Sequence, residues 1–321
     1  MVQARLEKSL TRANRYPVSS DVLAARLAAM HQVSSERVLL VCGTTEIIRV
    51  LAARLLEPHH SVITASPTYE AMSDYAHVYG ARSVAVPLTH DFSHDLDAML
   101  TREDRSTTLI YICNPNNPTG SITPRRSIEK FLAKLPRRIV VVVDEAYHHF
   151  VPRSSMYSSF LEEPISDDRL VVLRTFSRVY GLAGLRIGYA VSSSQLGARL
   201  MPHITKTGIS EVGLQAAIAA LDDKEGLRLA VKRNADDRQE FFNQAMLRML
   251  KPIDSKTNFV MMDVHQPADG VIEHFRKNNV LIGRAFPPMN NHIRVSLGTR
   301  EEMLAFWKVW DLLPHAHEMK M

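Results

Sequence analysis

Five β-branched residues in a row, Ile139-Val140-Val141-Val142-Val143, are followed at once by two acids, Asp144 and Glu145. A strand with one face in water alternates apolar and polar side chains. A run with no polar member has to be covered on both faces. That demands a sheet sandwiched between helices, and the rest of the chain alternates accordingly. Residues 38–41 read as a buried strand and residues 44–56 as a helix. Residues 61–65 give a second strand and 67–79 a second helix, with further strands at 82–86, 107–112, 138–143, 170–173 and 186–191. This order predicts an α/β domain with a mostly parallel central sheet.

The pattern changes after residue 222. Residues 224–250 read as one long helix stopped before Pro252. A strand at 258–262, a helix at 270–277, short strands at 280–282 and 293–297, and a helix from Thr299 follow. The expected organisation is a large domain at 14–222 and a smaller α+β domain at 223–321. Residues 1–13 are expected to pack on the smaller domain.

With 321 residues, 45% of them hydrophobic and 23% charged, the chain is large enough to bury two cores. Its net charge of +5 is spread without a sustained basic run, which argues against nucleic-acid binding. No apolar stretch is long enough to span a bilayer, so no membrane partner is expected. The opening residues lack an apolar signal region, and a cytoplasmic protein is expected. Cys42 and Cys113 lack metal-ligand spacing and read as buried thiols, with no metal site.

In an open α/β sheet, ligands gather beyond the carboxyl ends of the strands. Three such exits carry polar groups. Cys42-Gly43-Thr44-Thr45-Glu46 lies between a strand and a helix. Its glycine permits a tight turn, and the amides of Thr44 and Thr45 would face an anion. An ordinary βα turn, with Glu46 placed by the helix dipole, accounts for the same residues. Asn114-Pro115-Asn116-Asn117-Pro118-Thr119-Gly120 also follows a strand; the plain alternative is a Pro/Asn turn. Asp144 ends the most apolar strand, where a carboxylate suits a cationic ring nitrogen in a dry site or, more simply, a helix cap.

In order and spacing these motifs resemble those of histidinol-phosphate aminotransferases and their relatives. The likeness runs from Asn14-Arg15-Tyr16-Pro17 to Arg294-Val295-Ser296-Leu297-Gly298-Thr299. It implies a fold-type I, aspartate aminotransferase-like enzyme that uses pyridoxal or pyridoxamine phosphate on a small amino-acid substrate. It also implies roles. Thr44, Thr45, Thr175, Ser177 and Arg186 would hold the cofactor phosphate, and Tyr69 would stack on its ring. Asp144 would meet the ring nitrogen, while Asn117 and Tyr147 would donate to the phenolic oxygen. Tyr16 would reach the phosphate of a neighbouring subunit, which requires a homodimer. Arg294 would grip the substrate carboxylate, and Arg284 is either a distal substrate contact or a surface charge.

The resemblance breaks at two places. In Thr175-Phe176-Ser177-Arg178-Val179-Tyr180-Gly181, Arg178 stands where the family has the lysine that bonds covalently to the cofactor and moves the proton. A guanidinium stays protonated and does neither, so noncovalent cofactor binding and impaired transamination are expected. An arm carrying an Asn-Glu-Asn-Pro-Tyr-type motif, usual in relatives, is not found before Tyr16. Three readings follow: an aminotransferase with a replaced lysine, a cofactor-binding or regulatory relative, and an enzyme using another residue. Lys206 is the candidate for the last, against an ordinary exposed lysine; His148 and His149 are weaker candidate bases.

Overall fold

The computed structural model describes residues 2–17 and 19–313; residues 314–321, the end of the expected C-terminal domain, lie outside the described residues. The helices are α1 (Val2–Leu10), α2 (Asp21–His31), α3 (Thr44–Leu55), α4 (Ala71–Val78), α5 (Leu96–Thr101), α6 (Arg125–Lys134), α7 (Ser194–Leu200), α8 (Glu211–Asp222), α9 (Lys224–Leu247), α10 (Ala268–Lys277) and α11 (Arg300–Trp310). The strands are β1 (Val38–Val41), β2 (Ser61–Ser66), β3 (Arg82–Pro87), β4 (Thr107–Cys113), β5 (Val140–Asp144), β6 (Leu170–Thr175), β7 (Gly188–Val191), β8 (Lys251–Pro252), β9 (Phe259–Asp263) and β10 (His292–Ser296).

Seven strands form one sheet in the order β1-β7-β6-β5-β4-β2-β3. Strands β2 to β6 pair in parallel, and β7 runs antiparallel to both β6 and β1. The apolar run occupies β5, in the middle of the sheet. Val141 and Val143 enter one apolar cluster and Val142 the other, so both faces are covered. A second sheet, β10-β9-β8, carries its own core around Phe241, Phe275, Phe306 and Trp307. We propose that the domain division falls between α8 and α9.

Several elements differ from expectation, each for a local reason. Helix α1 packs on α8 and the large-sheet core rather than on the C-terminal lobe. Arg5 Nε donates to Gln215 Oε1 at 3.1 Å, Arg12 pairs with Glu211, and Val2 and Leu6 add apolar contact. The helix expected from Pro67 starts at Ala71, because the Pro67 carbonyl accepts from Asn116 Nδ2 instead of a helical amide. Residues 280–282 form no strand: the Val280 amide turns back to the Phe275 carbonyl, and only Gly283, just beyond, reaches β10. Helix α9 ends at Leu247, where Met249 adopts φ 55 and the Leu250 amide caps Ala245. Arg186 precedes β7 in a left-handed conformation, φ 54.

Candidate cofactor site

The chain runs from β2 outward to β3 and then returns to place β4 on the other side of β2. Loops leaving β2 and β4 therefore diverge, opening the crevice expected at such a switch point. A cavity of about 150 Å³ lies there. Thr44 and Thr45 from the start of α3, Tyr69 after β2 and Asn117 after β4 line it. Asp144 and Tyr147 after β5, and Thr175, Ser177, Arg178 and Arg186 after β6, complete the wall with Cys113. Every large-domain residue for which the resemblance implies a cofactor role, apart from Tyr16, thus borders one space.

At one end the start of α3 faces Arg186. Gly43 has φ 75, and a Cβ there would fall 2.1 Å from Arg186 Nη2. Only glycine leaves room for that guanidinium. Arg186 Nη1 donates to the Ala183 carbonyl at 2.9 Å and to Ser177 Oγ at 3.4 Å. Thr175 Oγ1 accepts from the Ser177 amide at 3.0 Å. Helix-terminal amides, hydroxyls and a guanidinium converge here, the donor set an oxyanion requires.

At the other end Asp144 is buried. Its Oδ2 accepts from Tyr111 Oη at 2.8 Å and its Oδ1 from the Ala146 amide at 3.0 Å. Burial pushes this carboxyl up to about 6, while those two bonds and the nearby Arg178 pull it down. Tyr147 is also buried, edge-on to Phe259 at 5.2 Å, and burial pushes its phenol up to about 12. The Arg178 guanidinium carbon lies 5.2 Å from the Tyr147 ring centre. Among the described residues no carboxylate oxygen lies within 4.0 Å of that guanidinium.

Arg294, on β10, reaches toward the same crevice. Nη1 donates to Asn117 Oδ1 at 2.6 Å, and the guanidinium carbon sits 5.0 Å from the Phe259 ring and 4.6 Å from Phe286. Its Nε is buried and finds no partner among the described residues. Arg284 also lies over the Phe286 ring, 4.3 Å from its centre, and pairs with Glu70 beside Tyr69.

Other expected residues stand apart. Tyr16 is 78% exposed and does not line the cavity of its own chain. Lys206 is exposed on a loop held by a 2.9 Å bond from the Thr205 amide to Glu46 Oε1, outside the cavity wall. Glu46 also accepts from the Cys42 amide at 2.6 Å, so it ties two loops together rather than only starting a helix. His148 is engaged with Glu162 at 2.9 Å, and His149 faces Tyr180 at 3.4 Å. Burial pushes His149 down to about 2, and neither histidine lines the cavity. Cys113 is buried as expected, but Cys42 is only half-buried.

Two features escaped the sequence. Tyr111 sits in an apolar strand and gives no sign that its hydroxyl holds Asp144. Glu145 is the hub of a buried network, accepting from Arg174 Nε at 2.9 Å, Ser159 Oγ at 2.6 Å and the Phe160 amide at 2.9 Å. It fixes the exits of β5 and β6, and so the spacing of Asp144 and Thr175. The adjacency of two acids was the only available signal.

A mixed sheet with a helix start facing Arg186, a buried carboxylate and an arginine reaching in from the second sheet is the arrangement of the aspartate aminotransferase-like class of pyridoxal-phosphate-dependent proteins. The chain belongs to the aminotransferase class I and II family, whose model matches residues 2–308. It is 35% identical over 287 residues to the histidinol-phosphate aminotransferase of Bacillus subtilis (strain 168), covering 88% of this chain and 79% of that one. It is 35% identical over 320 residues to histidinol-phosphate aminotransferase 1 of Idiomarina loihiensis, covering 97% and 85%. The solved histidinol-phosphate aminotransferase of Sinorhizobium meliloti, in complex with pyridoxal-5'-phosphate, superimposes with a TM-score of 0.90 at 27% identity, covering 97% of this chain and 87% of that one.

Proposed function

We propose that this protein binds pyridoxal or pyridoxamine phosphate without a covalent bond and engages an α-amino acid, with transamination impaired by Arg178. The observation that carries this is the position of Arg178, in the wall of the same cavity as Asp144, Asn117 and Tyr147. The residues present fit the cofactor. The glycine cradle at Gly43 admits Arg186 to an oxyanion site, Asp144 offers a dry carboxylate to a ring nitrogen, and Arg294 has an unspent buried donor.

In this reading Thr44, Thr45, Thr175, Ser177 and Arg186 hold the phosphate, and Tyr69 covers the ring. Asn117 and Tyr147 serve the phenolic oxygen. Arg294 binds the substrate carboxylate and Arg284 stands at the distal end. Tyr16 completes the phosphate site of a partner subunit in a homodimer. When bound, the cofactor supplies an electron sink for charge at the substrate α-carbon. Asp144 holds the ring nitrogen's proton and so maintains that sink. Proton transfer at the α-carbon needs a base that loses its proton near neutral pH, and Arg178 is not one. The exposed site of Lys206, outside the wall, gives no support to a substitute lysine.

The test is a titration of the full chain with pyridoxal phosphate, followed by borohydride reduction and mass mapping. Saturable binding with no adduct at a cavity residue is expected. Absence of binding, or a stable adduct on Lys206, would overturn the proposal.

A further inference from the structure

We propose that Arg178 makes the cavity select its ligand by charge: it takes pyridoxal phosphate, whose formyl group is uncharged, over pyridoxamine phosphate, whose aminomethyl group is a cation at neutral pH. This rests on the reading above and names the form of the cofactor the protein retains.

The argument begins with the size of the space. In about 150 Å³ every substituent of a bound ring lies within a few ångströms of the wall. Two guanidiniums, Arg178 and Arg186, and one carboxylate, Asp144, line that wall. Arg186 belongs to the oxyanion end, beside Gly43 and Ser177. Asp144 has both oxygens engaged, by Tyr111 and the Ala146 amide, and its remaining lone pairs serve the ring nitrogen. Arg178 is left with its charge uncompensated by any carboxylate within 4.0 Å among the described residues, against the Tyr147 ring. Its field is felt by Asp144 and Tyr147 at the exit of β5 and by Cys113 at the end of β4, so it reaches across the cavity.

A second cation brought into this space meets a like charge at short range, in surroundings that screen less than water. An ammonium has no lone pair with which to accept from a guanidinium, whereas a formyl or hydroxymethyl oxygen does. The amine form is therefore repelled where the uncharged forms gain a hydrogen bond. A protein built this way keeps the aldehyde and releases the amine.

Equilibrium dialysis of the full chain at pH 7.5 tests this with three ligands measured separately: pyridoxal phosphate, pyridoxamine phosphate and pyridoxine phosphate. The last has an uncharged hydroxymethyl group and forms no bond with lysines. Pyridoxal and pyridoxine phosphates are expected to bind at least about tenfold more tightly than pyridoxamine phosphate, since tenfold corresponds to a modest like-charge interaction. Arg178→Gln should shrink that ratio to about threefold or less on the same scale. Equal affinities, tighter binding of the amine, or a ratio unchanged in Arg178→Gln would overturn the proposal. Pyridoxine phosphate binding as weakly as the amine would also overturn it, because the preference would then come from aldehyde reactivity. Binding of none of the three would remove the cofactor reading itself along with this one.

Discussion

Arg294 Nη1 donates to Asn117 Oδ1 across 2.6 Å, joining residues 177 positions apart. One side-chain amide thus spans the loop after β4 and the strand β10 of the second sheet. Asn117→Ala removes the acceptor and leaves more of the Arg294 guanidinium unpaired. A bond to a charged group contributes ~1.5–3 kcal/mol. Pyridoxal phosphate affinity should fall by about tenfold, measured by dialysis, with little change in the far-ultraviolet spectrum. Unchanged affinity would show that Asn117 positions Arg294 alone.

If Arg178 impairs transamination as proposed, Arg178→Lys should restore part of that chemistry. A lysine there loses its proton more readily, because Arg186 and any cation nearby disfavour a second charged nitrogen. Borohydride should then leave an adduct at position 178, and amino acids should change the absorbance of the loaded variant within a single turnover. Should the variant bind pyridoxal phosphate yet give neither adduct nor absorbance change, the proposed role of Arg178 would be overturned.

Asp144→Asn should stabilise the ligand-free protein while weakening it as a cofactor site. Folding raises this carboxyl from 3.8 to about 6. Between those values the folded chain binds more protons than the unfolded one. Stability from Asp144 is therefore greatest at low pH and is lost as pH rises through 6. The penalty at pH 8 is of the order of 2–3 kcal/mol. Asparagine carries no such penalty, and the Tyr111 hydroxyl can turn to accept from its amide. Thermal melts should show a higher Tm for Asp144→Asn at pH 8, a gap that narrows as pH falls through 6 and closes only below about 3.8, and a lost response to pyridoxal phosphate. A lower Tm at pH 8 would contradict the assignment.

The large sheet was legible because β-branched runs such as Ile139–Val143 cannot lie on a half-wet sheet, whatever their partners. Strand exits were legible because Asn117, Asp144 and Thr175 are polar where folding alone asks for none. Contacts that depend on tertiary approach were not. Nothing local marks Tyr111 as the partner of Asp144, or α8 as the seat of α1. Likewise, residues 280–282 have a strand-like composition, but the Val280 amide is spent on the preceding helix end and only Gly283 reaches β10. The start of α4 was not legible because the Pro67 carbonyl, which a helix beginning there would use, is taken by Asn116, 49 residues away.

Gly43→Ala should cost more than a glycine replacement in an ordinary turn. The new Cβ meets a positive φ and the Arg186 guanidinium at once. At φ 75 and ψ 155 Gly43 occupies a region open essentially to glycine alone, where a side chain costs about 1–3 kcal/mol before the clash is counted. Lower denaturation midpoints are expected, with phosphate-dependent stabilisation lost; an intact response to inorganic phosphate would mean Arg186 does not serve the anion. Arg186→Ala in the same chain should recover part of the Gly43→Ala stability loss.

A homodimer should be present at micromolar concentration, read by light scattering. Tyr16 is exposed in the single chain, and the role proposed for it lies across a subunit boundary. Tyr16→Phe should weaken pyridoxal phosphate binding in the dimer by several-fold, the scale of one lost hydrogen bond. A monomer that binds the cofactor as tightly would remove Tyr16 from the site.

Strand β5 is a party wall. Val142 belongs to the apolar cluster on one side of the sheet, and Val141 and Val143 to the cluster on the other. Neither layer of helices can peel away without exposing a strand that the opposite layer also needs dry. The large domain should accordingly open as one cooperative unit, with the β5 amides the last to exchange with solvent, and Asp144 stands at the end of the segment that lets go last.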